Sequence, residues 1–184
     1  MASSGIENIH TTVESALQQE LFPEAERRDE DKEVLRCGEA IRWGAEHLPH
    51  LPTSSRLIIG IQQRLLPDLS PGFRTTPNRI VNSLTGQAVF TPPRAGDIAK
   101  LLSNWENFIN RPPDNMDPLV CCAIGHYQFE AIHPFGDGNG RTGRILMVLQ
   151  LVQAGLLAQP TLFISGYINR NRSEYYHLLL NVSA

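Results

Sequence analysis

The chain lacks what a membrane, a metal cluster or a nucleic acid would ask of it. No apolar run approaches the roughly 20 residues a membrane-spanning helix needs, and Met1-Ala2-Ser3-Ser4 has neither the basic nor the apolar region of a secretory signal. A cytoplasmic protein without membrane contact is the expectation. Cysteine is scarce: Cys37, Cys121 and Cys122 show no C-x-x-C spacing, and neighbours in sequence rarely bridge each other. Free, buried thiols are expected, with neither disulfides nor structural zinc. A net charge of -3 gives no global footprint for nucleic acid and leaves room only for a local basic cleft. Internal repeats and low-complexity tracts are also missing. What remains is 184 residues with 41% hydrophobic content, enough for one core and short for two, so one domain over 1–184 is expected.

Helical periodicity dominates. Ile98, Leu101, Leu102, Trp105, Phe108 and Ile109 recur at i, i+3, i+4 and i+7, a stripe that one helix face would bury, and Pro112-Pro113 ends it. Asp117-Pro118 then supplies an N-cap and a first-turn proline for a helix running through Leu119, Cys122, Ala123, His126 and Phe129. A further helix is predicted through Ile145, Leu146, Val148, Leu149 and Val152, with Gly155 as its C-terminal stop. Other helices are expected from Thr12, through Val34, Gly38, Ile41 and Ala45, from Thr53, and from Ser173 to the end. Between Phe73 and Pro93, the β-prone runs Arg79-Ile80-Val81 and Ala88-Val89-Phe90 flank Thr85-Gly86 and read as a hairpin, with an irregular loop as the alternative. The charge-rich stretch Glu24 to Glu33 reads as a solvated connection between helices.

The segment His133-Pro134-Phe135-Gly136-Asp137-Gly138-Asn139-Gly140-Arg141-Thr142-Gly143-Arg144 gathers a base, an acid, bare backbone and two fixed cations. That mixture suits phosphate chemistry: glycines expose N–H groups to an anion, and a following helix start adds its positive dipole end. Gly138-x-Gly140-x-x-Gly143 fits a dinucleotide fingerprint formally, yet no parallel strand precedes it and no Asp or Glu lies between Arg144 and Ser173. A P-loop fails because Arg144, not Lys, follows Gly143. An EF-hand fails because Arg141, Thr142 and Val148 stand where a ligand, a glycine and a glutamate are needed. A plain Gly/Asn turn with His133 capping a helix would leave Asp137, Asn139, Arg141 and Arg144 unexplained together.

The segment resembles the Fic family, whose motif H-x-F-x-[D/E]-G-N-G-R-x-x-R is met at every specified position from His133 to Arg144. The likeness extends to Phe129-Glu130-Ala131-Ile132 before the motif and to Tyr175-Tyr176 after it. It implies an all-α Fic-type helical core with a small β-hairpin flap over residues 73–93, and an enzyme that moves AMP from ATP to a Ser, Thr or Tyr hydroxyl of a target protein.

The chemistry suggests a division of labour. His133 titrates near neutrality and can take the hydroxyl proton. Asp137 is a hard oxygen ligand for a Mg²⁺ bridging the phosphates. Gly138, Asn139 and Gly140 would supply amides for the anion, and Arg141 and Arg144 would point at the polyphosphate. Phe135 is expected to anchor the loop in the core. By resemblance, Tyr176 borders the adenine, Tyr175 is as readily core, and Tyr167 is a weaker base contact. The flap would hold the target by strand addition. Ser3-Ser4-Gly5-Ile6-Glu7-Asn8 fits the family's inhibitory pattern [S/T]-x-x-x-E-[G/N], with residues 1–10 as an inhibitory helix and Glu7 pairing with Arg144. Relatives of this organisation usually carry more chain on both sides, so a fragment of a longer protein is expected. Removal of AMP, transfer of another phosphate-containing group, or non-enzymatic nucleotide sensing stay open, as do homodimerisation and self-modification.

Overall fold

In the computed structural model of the chain, the described residues are 29–81 and 86–182, without the side chains of 29–31. They form seven helices and one hairpin: α1 (Asp29–His47), α2 (Ser55–Leu65), β1 (Ile80–Val81), β2 (Ala88–Phe90), a 3₁₀ turn (Ala95–Asp97), α3 (Ile98–Asn110), α4 (Pro118–Ile132), α5 (Asn139–Gln153), α6 (Ile164–Arg170) and α7 (Arg172–Val182). The helix expected from Thr12 and the segment around Glu7 lie outside the described residues.

The helices form where local chemistry directs. In α3 the inward residues are Ile98, Leu102, Trp105 and Ile109, the predicted stripe. At the start of α4, Asp117 accepts the Leu119 N–H at 2.7 Å and Pro118 occupies the first turn. Its inward face differs from the expected one: Cys122, Gly125, His126, Phe129 and Ile132 are buried, whereas Leu119 and Ala123 face outward. Trp105 explains the rotation. Its indole N–H reaches the Gly125 carbonyl at 2.7 Å and its ring packs on Phe129, so Gly125 must meet α3 where a side chain would collide with Ile109. Gly155 ends α5 with φ 73, and the Leu156 N–H bonds back to the Leu151 carbonyl.

Helix α5 is the axis of the structure, packed by α1, α2 and α4. Its buried residues lie on most sides, from Ile145, Leu146 and Leu149 to Thr142 and Gln150, as expected of a helix enclosed by others. Leu57, Ile58, Ile61 and Leu65 of α2 meet it in the common core, each worth roughly 1.5–3 kcal/mol of burial. The start of α2 is held at long range, Glu106 of α3 accepting both the Ser55 N–H and its hydroxyl.

β1 and β2 pair antiparallel, Ile80 opposite Phe90 and Val81 opposite Ala88, with an irregularity between the pairs. The hairpin is mostly exposed. Arg74, 8% exposed, ties its foot to the chain after α4. Among the described residues no helix is long and apolar enough to cross a membrane. Cys37, Cys121 and Cys122 are free thiols, with only Cys122 fully buried.

Candidate active site

The site is built on the turn between α4 and α5. His133 ends α4: its N–H still bonds to the Phe129 carbonyl at 3.0 Å, but its backbone is left-handed, φ 49 and ψ 60. That conformation is uncommon for a residue with a Cβ and throws the chain out of the helix. Arg74 secures the bend. Its Nε donates to the His133 carbonyl at 2.8 Å and its terminal nitrogens reach Ile132, Thr76 and Pro93 carbonyls, while its own N–H meets the Pro134 carbonyl.

The His133 ring is half-buried, with Nδ1 3.3 Å from the Glu130 carbonyl. With Nδ1 donating there, Nε2 carries the lone pair. Burial pushes its pKa down to about 4, Arg74 acting in the same direction and the Glu130 carbonyl and Asp137 opposing. The imidazole is therefore neutral at physiological pH and able to accept a proton.

The loop keeps its shape from inside. Asn139, only 2% exposed, accepts the Phe135 N–H and donates to the Phe135 carbonyl, both at 2.9 Å. Phe135 itself is buried against Phe73, the expected anchor. Gly138 has φ 82, a left-handed backbone that favours glycine, and a Cβ there would also press on the tip of Leu66. Its N–H meets Asp137 Oδ1 at 2.6 Å. No side chain caps α5, which leaves the amides of its first turn as donors for an anion.

Asp137 keeps 43% of its side chain exposed at the centre of this loop. A single accessible carboxylate beside an uncapped helix start fits Mg²⁺, which is commonly held by one or two carboxylates together with the phosphates of its ligand. Among the described residues no cluster of three or more His, Cys, Asp or Glu side chains forms a metal cage.

The two arginines part company. Arg141 is buried, bonded to Glu33 of α1 and 3.9 Å from Asp137. Glu33 thus departs from the solvated connection expected for Glu24 to Glu33: it lies in helix α1 and grips a motif residue. Arg144 is half-buried, donates its Nε–H to the Ser165 hydroxyl at 3.2 Å, and lies over Gly140, where a Cβ would sit 3.0 Å from its Nη1.

Behind Arg144 is a polar cluster that sequence reasoning did not isolate. His126 Nε2 and the Tyr175 hydroxyl are 2.8 Å apart, joining α4 to α7. Burial first, then Arg144, brings His126 down to about 4; burial chiefly raises Tyr175. Tyr175 is accordingly structural. Tyr176, 40% exposed, stacks obliquely on it with the Arg172 guanidinium 5.8 Å from its ring centroid, and Tyr167 is more exposed still. Glu130 completes the cluster. The i, i+4 spacing of His126 and Glu130, a base and an acid on one face of a mostly apolar helix, is the signal that could have found them. Arg74 and Glu33 had none, Arg74 being 59 residues from His133 and Glu33 108 residues from Arg141.

Comparison with known proteins agrees with this geometry. Residues 52–151 match the Fic/DOC family (Fic). Two curated relatives are both called protein adenylyltransferase Fic: that of Drosophila grimshawi is 31% identical over 186 residues, covering 96% of this chain and 36% of the relative, and that of Drosophila mojavensis is 32% identical over 184 residues, covering 96% and 34%. The chain spans about a third of the length of these curated relatives. The crystal structure of a Fic family protein from Desulfovibrio desulfuricans G20 superposes with a TM-score of 0.77 at 25% identity, covering 98% of this chain and 55% of that one. Fic-1 from C. elegans (aa134 - 508 E274G) superposes with a TM-score of 0.71 at 24% identity, covering 97% and 52%.

Proposed function

The chain belongs to the Fic/DOC family, and from that premise we propose that it is a protein adenylyltransferase, moving AMP from ATP to a Ser, Thr or Tyr hydroxyl of a target protein. The observation that carries this reading is the placement of the His133 ring, with Nδ1 at the Glu130 carbonyl and Nε2 left to accept a proton, on the loop that leads into an uncapped helix start. Pure nucleotide sensing needs the helix start and has no use for the base.

In the proposed reaction Nε2 of His133 takes the proton of the target hydroxyl as its oxygen attacks the α-phosphorus. The α-phosphorus–oxygen bond to the β-phosphate breaks, and pyrophosphate departs with the electron pair. The first-turn amides of α5 hold the α-phosphate's charge, and Arg144 reaches the γ-phosphate. Asp137 would hold Mg²⁺, whose charge neutralises phosphate oxygens. Arg141 acts more remotely, by fixing the start of α5 against α1. Tyr176 offers its exposed ring to the adenine, and the half-exposed Val81 and Val89 mark the hairpin along which a target strand would lie.

Glu7 is the proposed brake, pairing with Arg144 and withdrawing it from the γ-phosphate, in line with the Ser3-to-Asn8 pattern. Mass spectrometry of the protein and of candidate targets after incubation with ATP and Mg²⁺ tests the reading. A +AMP adduct that needs His133 supports it; adducts from another nucleotide only, or loss of AMP from a modified protein with no gain from ATP, would replace it with the corresponding alternative.

A further inference from the structure

Glu130 is hard to explain as packing. Its Oε1 is sealed from solvent and has no hydrogen-bond partner, a costly state for a carboxyl group among helices. Room has been kept for it: a Cβ on Gly143 would collide with that oxygen, so the face of α5 is bare where Glu130 meets it. The backbone of Glu130 meanwhile touches the His133 ring, and its side chain lies beside the residue preceding Arg144.

We propose that Glu130 is a positioning residue for Arg144, an internal charge that competes with the nucleotide's phosphates for the guanidinium and is silenced by protonation.

The groups facing it are few. On α4 stands His126, on α5 Gly143 and Arg144, and on α7 Tyr175. Burial keeps His126 and Tyr175 uncharged near pH 7, so Arg144, next in sequence to the Gly143 that Glu130 packs on, is the charge whose field Glu130 feels. Burial lifts the Glu130 carboxyl to about 7 while Arg144 pulls it back, which places the change of state within the working range. When phosphates engage Arg144, that counter-charge is shared and ionised Glu130 becomes less favourable. Nucleotide binding is then linked to proton uptake, and affinity falls as pH rises through the carboxyl's titration.

The identity of the ligand rests on the function proposed above; the pairing does not, and two measurements keep them apart. The first uses no nucleotide: ¹³C NMR of the Glu130 carboxyl, assigned by its loss in Glu130→Gln, followed from pH 5 to 9. A midpoint near 7 that rises by roughly one unit in Arg144→Met is expected. A midpoint in the ordinary carboxylate range, or one indifferent to Arg144→Met, overturns the pairing. The second measures the KM for ATP and kcat in wild type and Glu130→Gln over the same range. The wild-type KM should rise roughly three- to tenfold more than that of the variant between pH 6 and 8.5, with kcat sharing none of the difference. Parallel KM profiles overturn the role in positioning. If ATP fails as substrate while the carboxyl still answers to Arg144→Met, the pairing stands and the adenylyltransferase reading falls.

Discussion

Arg141 and Arg144 leave the same helix three residues apart with the same charge, and their surroundings assign them opposite work. Arg141 is 8% exposed and meets the carboxylate of Glu33, so its charge is already neutralised by the fold. Arg144 is more open, rests on a hydroxyl, and lies over a residue without a side chain. A cation held by a carboxylate must break that pair to serve a ligand, whereas Arg144 gives up a neutral hydrogen bond to Ser165 and the pull of Glu130, which protonation can silence. Equal entries in a motif are thus unequal in energy.

The largest effect comes from taking away the proposed base at the head of the loop that leads to both arginines. His133→Ala should lower AMP transfer by roughly 10²- to 10⁴-fold while ATP affinity stays near wild type. Equilibrium binding beside single-turnover transfer is the check; equal losses in both would mean that His133 holds the loop and does not act as base.

The next divides the arginines directly. Arg141→Ala strands Glu33 and should destabilise the fold by about 3 kcal/mol, read by urea unfolding. Arg144→Ala should cost only about 1 kcal/mol there and be felt chiefly in ATP use. Equal stability losses would erase the contrast.

A third experiment uses pH. His126 falls to about 4 in the fold from an ordinary 6.5, so the unfolded chain binds the extra proton first. Its contribution is complete above pH 6.5 and is lost as pH falls toward 4, on the order of 3 kcal/mol. Glu130 has the opposite sign, its contribution fading as pH rises from 4.5 to 7. The stability difference between wild type and His126→Gln, followed by thermal melts from pH 7 to 4, isolates the histidine; a difference constant with pH would rule this out.

The finest test concerns the brake. Glu7→Gly should raise AMP transfer, and Arg144→Ala should remove most of that gain, so the double-mutant cycle should be strongly non-additive. A gain that survives the loss of Arg144 would disconnect Glu7 from it.

What the sequence made legible was local. The stripe of α3, the Asp117 cap, the Gly155 stop and the hairpin strands each depend on residues within a few positions of one another. So does the loop from His133 to Arg144. The roll of α4 was not legible, because Trp105 sets it from another helix. Helix α6 was missed for a related reason: with only Ile168 buried among its seven residues, it carries almost no periodic signal. The grip of Glu33 on Arg141 and the cap that Glu106 gives Ser55 are choices among many carboxylates, decided only when distant helices meet. Sequence therefore offered candidates for the reacting groups and was silent on the distant groups that hold them in place.

Arg74 gives that aiming a mechanical side. One flat guanidinium holds carbonyls at Thr76 and Pro93, at the two feet of the hairpin, together with those of Ile132 and His133. A planar fork cannot follow one foot without turning its other prongs. A tug on the hairpin is thus transmitted across a single rigid joint to the backbone of His133, so the arm proposed to grip a target and the pivot of the proposed base are parts of one lever.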